Sequence, residues 1–185
     1  MRPEESIDII SRMVSDTRRS VLRHAYIPFL IWGGVTVFVS LLIYALLVIT
    51  GNPYSNLCWY FIPIVGFPMT MVYRPRTKLI RTGIATSLRS IWYMLTVLLV
   101  CFSLASFFIS FNILFFILLL LSIGSYVSGA VISYPFLTYS SVAGFIFSVG
   151  LLVISGVNQI PVFAAAIVVM MIMPGLKMKQ DLRNL

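Results

Sequence analysis

The sequence predicts an all-α integral membrane protein, a bundle of six transmembrane helices that follows an amphipathic helix. Composition, a long apolar stretch that must fold back and a one-sided distribution of charge support this prediction. Of the 185 residues, 60% are hydrophobic and 10% are charged, and the mean hydropathy is +1.03. Soluble domains are about 45–50% apolar and about 25% charged. A water-soluble chain of this length cannot bury so much apolar surface, whereas lipid can solvate the excess.

Residues 1–24 are predicted to form a cytoplasmic amphipathic helix. Pro3 suits a first helical position, and Glu4 and Glu5 complement the positive end of the helix dipole. One face is apolar at Ile7, Ile10, Val14 and Val21. The opposite face is charged at Glu5, Asp8, Arg12, Asp16, Arg19 and Arg23. Such an apolar stripe needs a partner, which is either the membrane interface or another protein surface.

The first two spans are predicted at residues 26–49 and 57–73. The first is uncharged and exceeds the roughly 20 residues that cross the hydrocarbon core. Residues 50–56 between them are rich in turn formers, and Trp59 and Tyr60 are typical of the interfacial aromatic belt. Pro63 and Pro68 are expected to kink the second span.

A polar, basic connector at residues 74–90 precedes an apolar stretch at residues 91–133. A single helix over that stretch would be roughly 65 Å long, about twice the thickness of the hydrocarbon core. The chain must therefore fold back, and Asn112 is the predicted turning point. This division gives the third span at residues 91–111 and the fourth at residues 113–133.

The last two spans are predicted at residues 137–155 and 161–176. Tyr134, Pro135 and Phe136 interrupt the helix before the fifth span, and a turn at residues 156–159 precedes the sixth. The transmembrane domain thus covers residues 25–176, and residues 177–185 form a polar cytoplasmic tail that is expected to fray. A four-span topology is the alternative, if one of the last two regions is re-entrant.

The basic residues indicate the orientation. Of the 13 Lys and Arg residues, five lie in residues 1–24, five in the connector and three in the tail. The loops near residues 50–57, 112 and 156–160 carry none. Six spans place the three basic segments on one side, and the positive-inside rule makes that side, with both termini, cytoplasmic. The same rule explains the net charge of +8 without a nucleic-acid partner.

The spans lack the residues that most membrane chemistry needs. All five acidic residues lie outside them, which argues against a proton pump, a voltage sensor or a carboxylate-based antiporter. His24, the one histidine, is interpreted as an interfacial residue, and Cys58 and Cys101 as packing residues without metal-type spacing. No catalytic, cofactor or metal motif occurs, so a non-enzymatic protein without a cofactor is expected.

Two sets of residues are candidates for contacts with other molecules or between helices. Contacts to anionic lipid head groups or to a cytosolic protein are predicted for Arg12, Arg19, Arg23, Arg74, Arg76, Lys78 and Arg81. Close helix packing is predicted at the small residues Gly124, Ser125, Gly129 and Gly144. For this second set, a polar substrate path and a contact between copies in a homo-oligomer are the alternatives.

Two functions follow from these features. The first is a non-enzymatic membrane component that binds lipid or a partner protein through its basic cytoplasmic face. The second is a small transporter or channel for a neutral or lipophilic solute, which draws on the kinked second span and on the Ser- and Gly-rich fourth and fifth spans.

Three short motifs resemble those of a known group of membrane proteins. They are residues 5–14 (ESIDIISRMV), residues 29–33 (FLIWG) and residues 174–177 (PGLK). The chain resembles a family of small, uncharacterised polytopic inner-membrane proteins of anaerobic Gram-negative bacteria. This resemblance implies a multi-pass protein of the bacterial cytoplasmic (inner) membrane, and it implies no residue-level function.

Overall fold

The structure, a computed structural model, describes the backbone of residues 3–73, 83–106 and 108–184. Side chains are described for Leu22 and for residues 24–73, 86–106 and 108–184. Within these ranges the chain is an all-α bundle without strands, which confirms the predicted fold class. Six helical stretches are long and apolar enough to cross a membrane.

The first helix, α1, runs without interruption from Pro3 to Thr50. The predicted amphipathic helix and the first span are therefore one continuous helix, with Pro28 inside it. The side chains of the predicted apolar face at residues 7–21 lie outside the described part of the chain. After α1, Gly51 takes a positive φ of 61°, a conformation that glycine adopts without a steric penalty.

The second span begins earlier than predicted. Asn52 accepts a hydrogen bond from the Tyr54 backbone N–H at 3.0 Å and so caps a 3₁₀ helix at Pro53–Tyr60. Helix α2, Phe61–Val72, follows directly. The 3₁₀ turn and α2 together form a candidate span at Pro53–Val72.

The predicted fold-back occurs over several residues rather than at one. Helix α3 covers Gly83–Ala105 and helix α4 covers Ile113–Val131, so the third span ends before the predicted residue 111. Asn112 caps α4, because its Oδ1 accepts the Phe115 backbone N–H at 3.2 Å. Its Nδ2 donates to the Leu151 carbonyl at 2.8 Å, which ties the start of α4 to the end of the helix at Pro135–Val153.

Helix α5, Pro135–Val153, lies antiparallel to α4. The turn between them ends α4 with a hydrogen bond from the Tyr134 N–H to the Gly129 carbonyl and another from the Ser133 N–H to the Ala130 carbonyl. This is the Schellman arrangement. Ser133 takes the left-handed position at φ 54°, where glycine is the usual residue.

The sixth span is longer than predicted. It consists of a 3₁₀ turn at Gly156–Asn158, helix α6 at Gln159–Ile167, a π-helical turn at Val168–Ile172 and helix α7 at Met173–Arg183. The π turn ends two residues before Pro174, which has no N–H to donate to the preceding turn.

The predicted frayed tail is helical in the structure. Helix α7 continues to Arg183, and Met178 is fully buried within it. The prediction rested on the polarity of residues 177–183 alone. Tertiary contacts made by Met178 and Asp181, which local polarity does not encode, hold the helix together.

The sixth span lies at the centre of the bundle. It packs against α1, α4 and α5, while α4 and α5 form the most extensive helix pair. It buries half of its most apolar stretch, whereas the second and third spans bury 6% of theirs. Helix α2 packs on α1 and α3 packs on α4, so these two helices lie at the periphery. The core includes Ile43, Leu118, Leu137, Leu151, Phe163, Ile167 and Met170.

Candidate functional site

The antiparallel helices give the bundle two chemically different ends. At one end, which we call the uncharged end, the loops at residues 51–56, 111–113 and 156–159 meet around a shared cavity. At the other, the basic end, the residue 132–134 turn lies beside the last turn of α7. The contact of Leu30 with Gly175 places the middle of α1 beside the first turn of α7. Because α1 ends at the uncharged end, its N-terminal half runs toward the basic end.

The basic end contains a small polar cluster that joins two helices. The buried Tyr134 hydroxyl donates to Asp181 Oδ2 at 2.7 Å. Lys177 Nζ lies 3.4 Å from Asp181 Oδ1, in a partly exposed pair one helical turn apart. This pair lies within α7 and, as a surface pair, contributes little stability. The link between the α4–α5 turn and α7 is the tyrosine hydrogen bond.

Removal of this hydrogen bond has a defined expected effect. We expect Tyr134→Phe to lower the free energy of unfolding by about 1.5 kcal/mol, because a hydrogen bond to a charged acceptor is lost. The residue 177–183 helix should also become more accessible to proteolysis. Tyr139→Phe is the matched control, since Tyr139 is an exposed tyrosine on α5. Unfolding in mild detergent titrated with SDS measures both variants, and equal stabilities would contradict the assignment.

The structure does not describe the side chains of the residues that were predicted to contact lipid or a partner protein. Arg12, Arg19 and Arg23 lie on the α1 backbone, with side chains outside the described set. The connector residues Arg74, Arg76, Lys78 and Arg81 lie outside the described residues altogether. Four further basic side chains are described and exposed at the basic end: Arg89, Lys177, Lys179 and Arg183.

The glycines predicted for helix packing all lie at helix contacts. A Cβ on Gly124 would lie 2.5 Å from Leu95 Cδ1 of α3. One on Gly129 would lie 2.7 Å from Thr138 Oγ1 of α5, and one on Gly144 would lie 2.6 Å from Met170 Sδ of the π turn. These three positions accept no side chain without a shift of a neighbour.

Most serines of the fourth and fifth spans use their hydroxyls within their own helix. Ser122, Ser128 and Ser141 each donate to the carbonyl one turn before, at 2.6–2.7 Å. Ser128 also accepts the Trp92 indole N–H at 3.0 Å, which joins α3 to α4. The exception is Ser125, which is fully buried and whose Oγ has no hydrogen-bond partner among the described residues.

A cavity of about 380 Å³, broadly open to the outside of the bundle, lies at the uncharged end. Residues from three loops line it, together with the adjoining ends of α1, α4 and α6. Its wall combines two aromatic residues, Trp59 and Phe111, with three carboxamides, Asn56, Asn112 and Gln159. No lining residue is charged. The volume lies within the range of about 300–1,000 Å³ that is usual for small-molecule sites.

The sequence contained the parts of this cavity but not their proximity. Each of the three uncharged loops carries a carboxamide, and Trp59 follows the first loop. The carboxamides Asn56, Asn112 and Gln159 lie about 50 positions apart along the chain. The pairing of α4 with α5 and the position of the sixth span bring them together, and neither feature follows from hydropathy.

Within the described residues, no group of three or more His, Cys, Asp and Glu side chains is placed to hold a metal ion. Comparisons with protein-family models, curated proteins and solved structures find no match for this chain. The function is therefore inferred from the geometry of the two ends of the bundle.

Proposed function

We propose that the protein is a non-enzymatic, multi-pass component of a bacterial cytoplasmic (inner) membrane, and that its basic end binds the head groups of anionic lipids. In this proposal the basic end is cytoplasmic. The observation that carries it is the segregation of charge: the Lys and Arg side chains that the structure describes lie at one end of the bundle, whereas the loops that line the cavity at the other end carry none.

Electrostatics supports lipid as the ligand of this end. Juxtamembrane Lys and Arg side chains lie at the depth of the head groups and gain about 1 kcal/mol each near an anionic surface. Arg89, at the start of the third span, and the α7 residues Lys177, Lys179 and Arg183 are exposed there. The connector adds four cations within eight residues, at positions 74–81. The local charge density is thus high enough to select anionic over zwitterionic lipids.

The first experiment measures anionic lipid retained by the purified protein. Native mass spectrometry compares phosphatidylglycerol with phosphatidylcholine for the wild type and for the Arg74→Gln, Arg76→Gln, Lys78→Gln and Arg81→Gln quadruple variant. We expect the preference for phosphatidylglycerol to fall by at least roughly tenfold, because four favourable charge contacts are lost. The charge-conserving control is Arg74→Lys, Arg76→Lys and Arg81→Lys, which should keep the preference. An unchanged preference in the glutamine variant would refute the proposal.

A cytosolic protein is the other occupant that the basic end could bind. Crosslinking in cells distinguishes it from lipid, using a chain that lacks residues 2–21. The deletion ends before Leu22, which is 1% exposed and belongs to the core. If a crosslinked protein disappears with the deletion while the lipid preference persists, the amphipathic helix binds a protein. If no crosslinked species depends on residues 2–21, lipid remains as the partner of this end.

A small transporter or channel for a neutral or lipophilic solute is the second candidate. The observation that favours it is Ser125, whose buried hydroxyl lacks a partner in the described structure. The other serines of this region donate within their own helices, which favours packing instead. Solute flux in proteoliposomes tests it with Ser125→Leu and Ser141→Leu. Flux that both variants leave unchanged would exclude a path at this helix pair.

A further inference from the structure

Hydrogen bonds to the backbone hold the polar side chains in the wall of the cavity at the uncharged end. The amide nitrogens of its three carboxamide residues donate to backbone carbonyls: Asn56 to Pro53 at 3.1 Å, Asn112 to Leu151 at 2.8 Å, and Gln159 to Ile154 at 2.6 Å. Asn56 and Gln159 each bond a carbonyl within six residues along the chain, and Asn112 bonds the end of α5. The carboxamides are therefore held in place by the fold before any ligand binds.

The fixed amides leave acceptors rather than donors unused. A carboxamide has one acceptor oxygen and two N–H donors. Asn112 uses its oxygen to cap α4, but Asn56 Oδ1 and Gln159 Oε1 accept no hydrogen bond from the described residues. Both residues line the cavity, so a ligand that donates hydrogen bonds would replace water at these oxygens. A ligand with a negative charge would meet carbonyl oxygens and no cation, since no lining residue is charged.

The remainder of the wall is apolar and aromatic. Trp59 packs edge-on against Phe163, with ring centroids 5.8 Å apart, so its position is fixed by the core. Leu47, Ile160 and Phe111 add further apolar surface. Ligand sites commonly combine an apolar wall with a few oriented polar groups. The C–H faces of a sugar or polyol suit such a wall, while its hydroxyls suit the two free acceptors.

From this geometry we infer that the cavity is a binding site for a neutral, hydroxyl-rich group such as a monosaccharide, either free in solution or as the head group of a neutral glycolipid. The site lies at the end opposite the basic residues. The inference does not rest on the lipid-binding proposal for that end, and either can fail without the other.

The experiment uses the full chain in nanodiscs of phosphatidylcholine. Free glucose is titrated by calorimetry in one arm, and glucosyl diacylglycerol retained by the protein is measured by native mass spectrometry in another. Glucuronate serves as the charged analogue of glucose. Two kinds of variant test the wall: Val157→Phe fills the cavity, and Asn56→Leu and Gln159→Leu each remove a free acceptor. Asn158→Leu is the matched control, since Asn158 is an exposed carboxamide on the same turn but does not line the cavity.

The expected result is binding in at least one neutral arm and about tenfold weaker binding for the cavity variants, because a lost ligand hydrogen bond or a filled pocket removes roughly that much affinity. Asn158→Leu should bind as the wild type does. Binding of the glycolipid alone identifies a membrane ligand, and binding of glucose alone identifies a soluble one. No binding in either arm, equal binding of glucuronate, or binding that all the variants leave unchanged would overturn the inference.

Discussion

We expect Gly129→Val to lower the free energy of unfolding by about 3 kcal/mol, at the upper end of the usual range for overpacking a close contact. A Cβ at this position would lie 2.7 Å from Thr138 Oγ1 and 2.8 Å from the Thr138 backbone nitrogen. The Thr138 side chain could rotate away from the new Cβ. The Thr138 backbone could move away only if the turn between α4 and α5 moved with it. That turn is held by the hydrogen bond from Tyr134 to the Gly129 carbonyl.

Gly150→Val is the matched control for this prediction. Gly150 is also a glycine in a transmembrane helix, but no atom lies within 4 Å of the Cβ that it would gain. We expect its stability to be unchanged or slightly raised, because glycine is a poor helix former. SDS-titrated unfolding of the two variants in detergent provides the measurement. Equal destabilisation of both would contradict the close approach of α4 and α5.

The second large effect is expected at the centre of the bundle. Phe163 on α6 is 1% exposed and packs against Trp59. We expect Phe163→Ala to lower the free energy of unfolding by about 3 kcal/mol, because the core cannot fully collapse into the space that the ring leaves. In a bilayer this cost comes mainly from lost packing, since lipid tails are as apolar as the protein core.

Phe38→Ala is the control for the central position. Phe38 lies on α1 and is 70% exposed, so in a membrane its ring contacts lipid. Truncation there should change stability by less than about 1 kcal/mol, as surface substitutions usually do. The same unfolding assay compares the two phenylalanines. If Phe38→Ala proved as costly as Phe163→Ala, the sixth span would not be the central helix.

The fold class was predictable from the sequence because lipid imposes a strong constraint on composition and helix length. The 43-residue apolar stretch could not cross the membrane once, and Asn112 was predicted as the turning point because it lies near the middle of that stretch. In the structure Asn112 caps α4, a role for which carboxamides are well suited. Hydropathy could not show that α3 already ends at Ala105, since residues 106–111 are largely apolar, although residues 106 and 108–111 are not α-helical.

The sequence did not predict two features that depend on tertiary contacts, the helix at the C-terminal end and the cavity. Residues 177–183 look like a polar tail, yet Met178 is buried and Asp181 binds Tyr134, 47 positions away. The cavity at the uncharged end likewise requires three loops to converge. Single carboxamides in short loops are common turn residues, so nothing local to the sequence distinguishes those that share a cavity.

The most direct test is to measure on which side of the membrane each end of the bundle lies. Two single-cysteine proteins, Asn158→Cys and Lys179→Cys, are made in a chain in which Cys58 and Cys101 are replaced by alanine. A membrane-impermeant maleimide is then applied to spheroplasts and to inverted membrane vesicles. We predict labelling of position 158 only in spheroplasts and of position 179 only in inverted vesicles. Labelling of both positions from the same side, or labelling of position 158 from the cytoplasmic side, would contradict the six-span bundle with a cytoplasmic basic end.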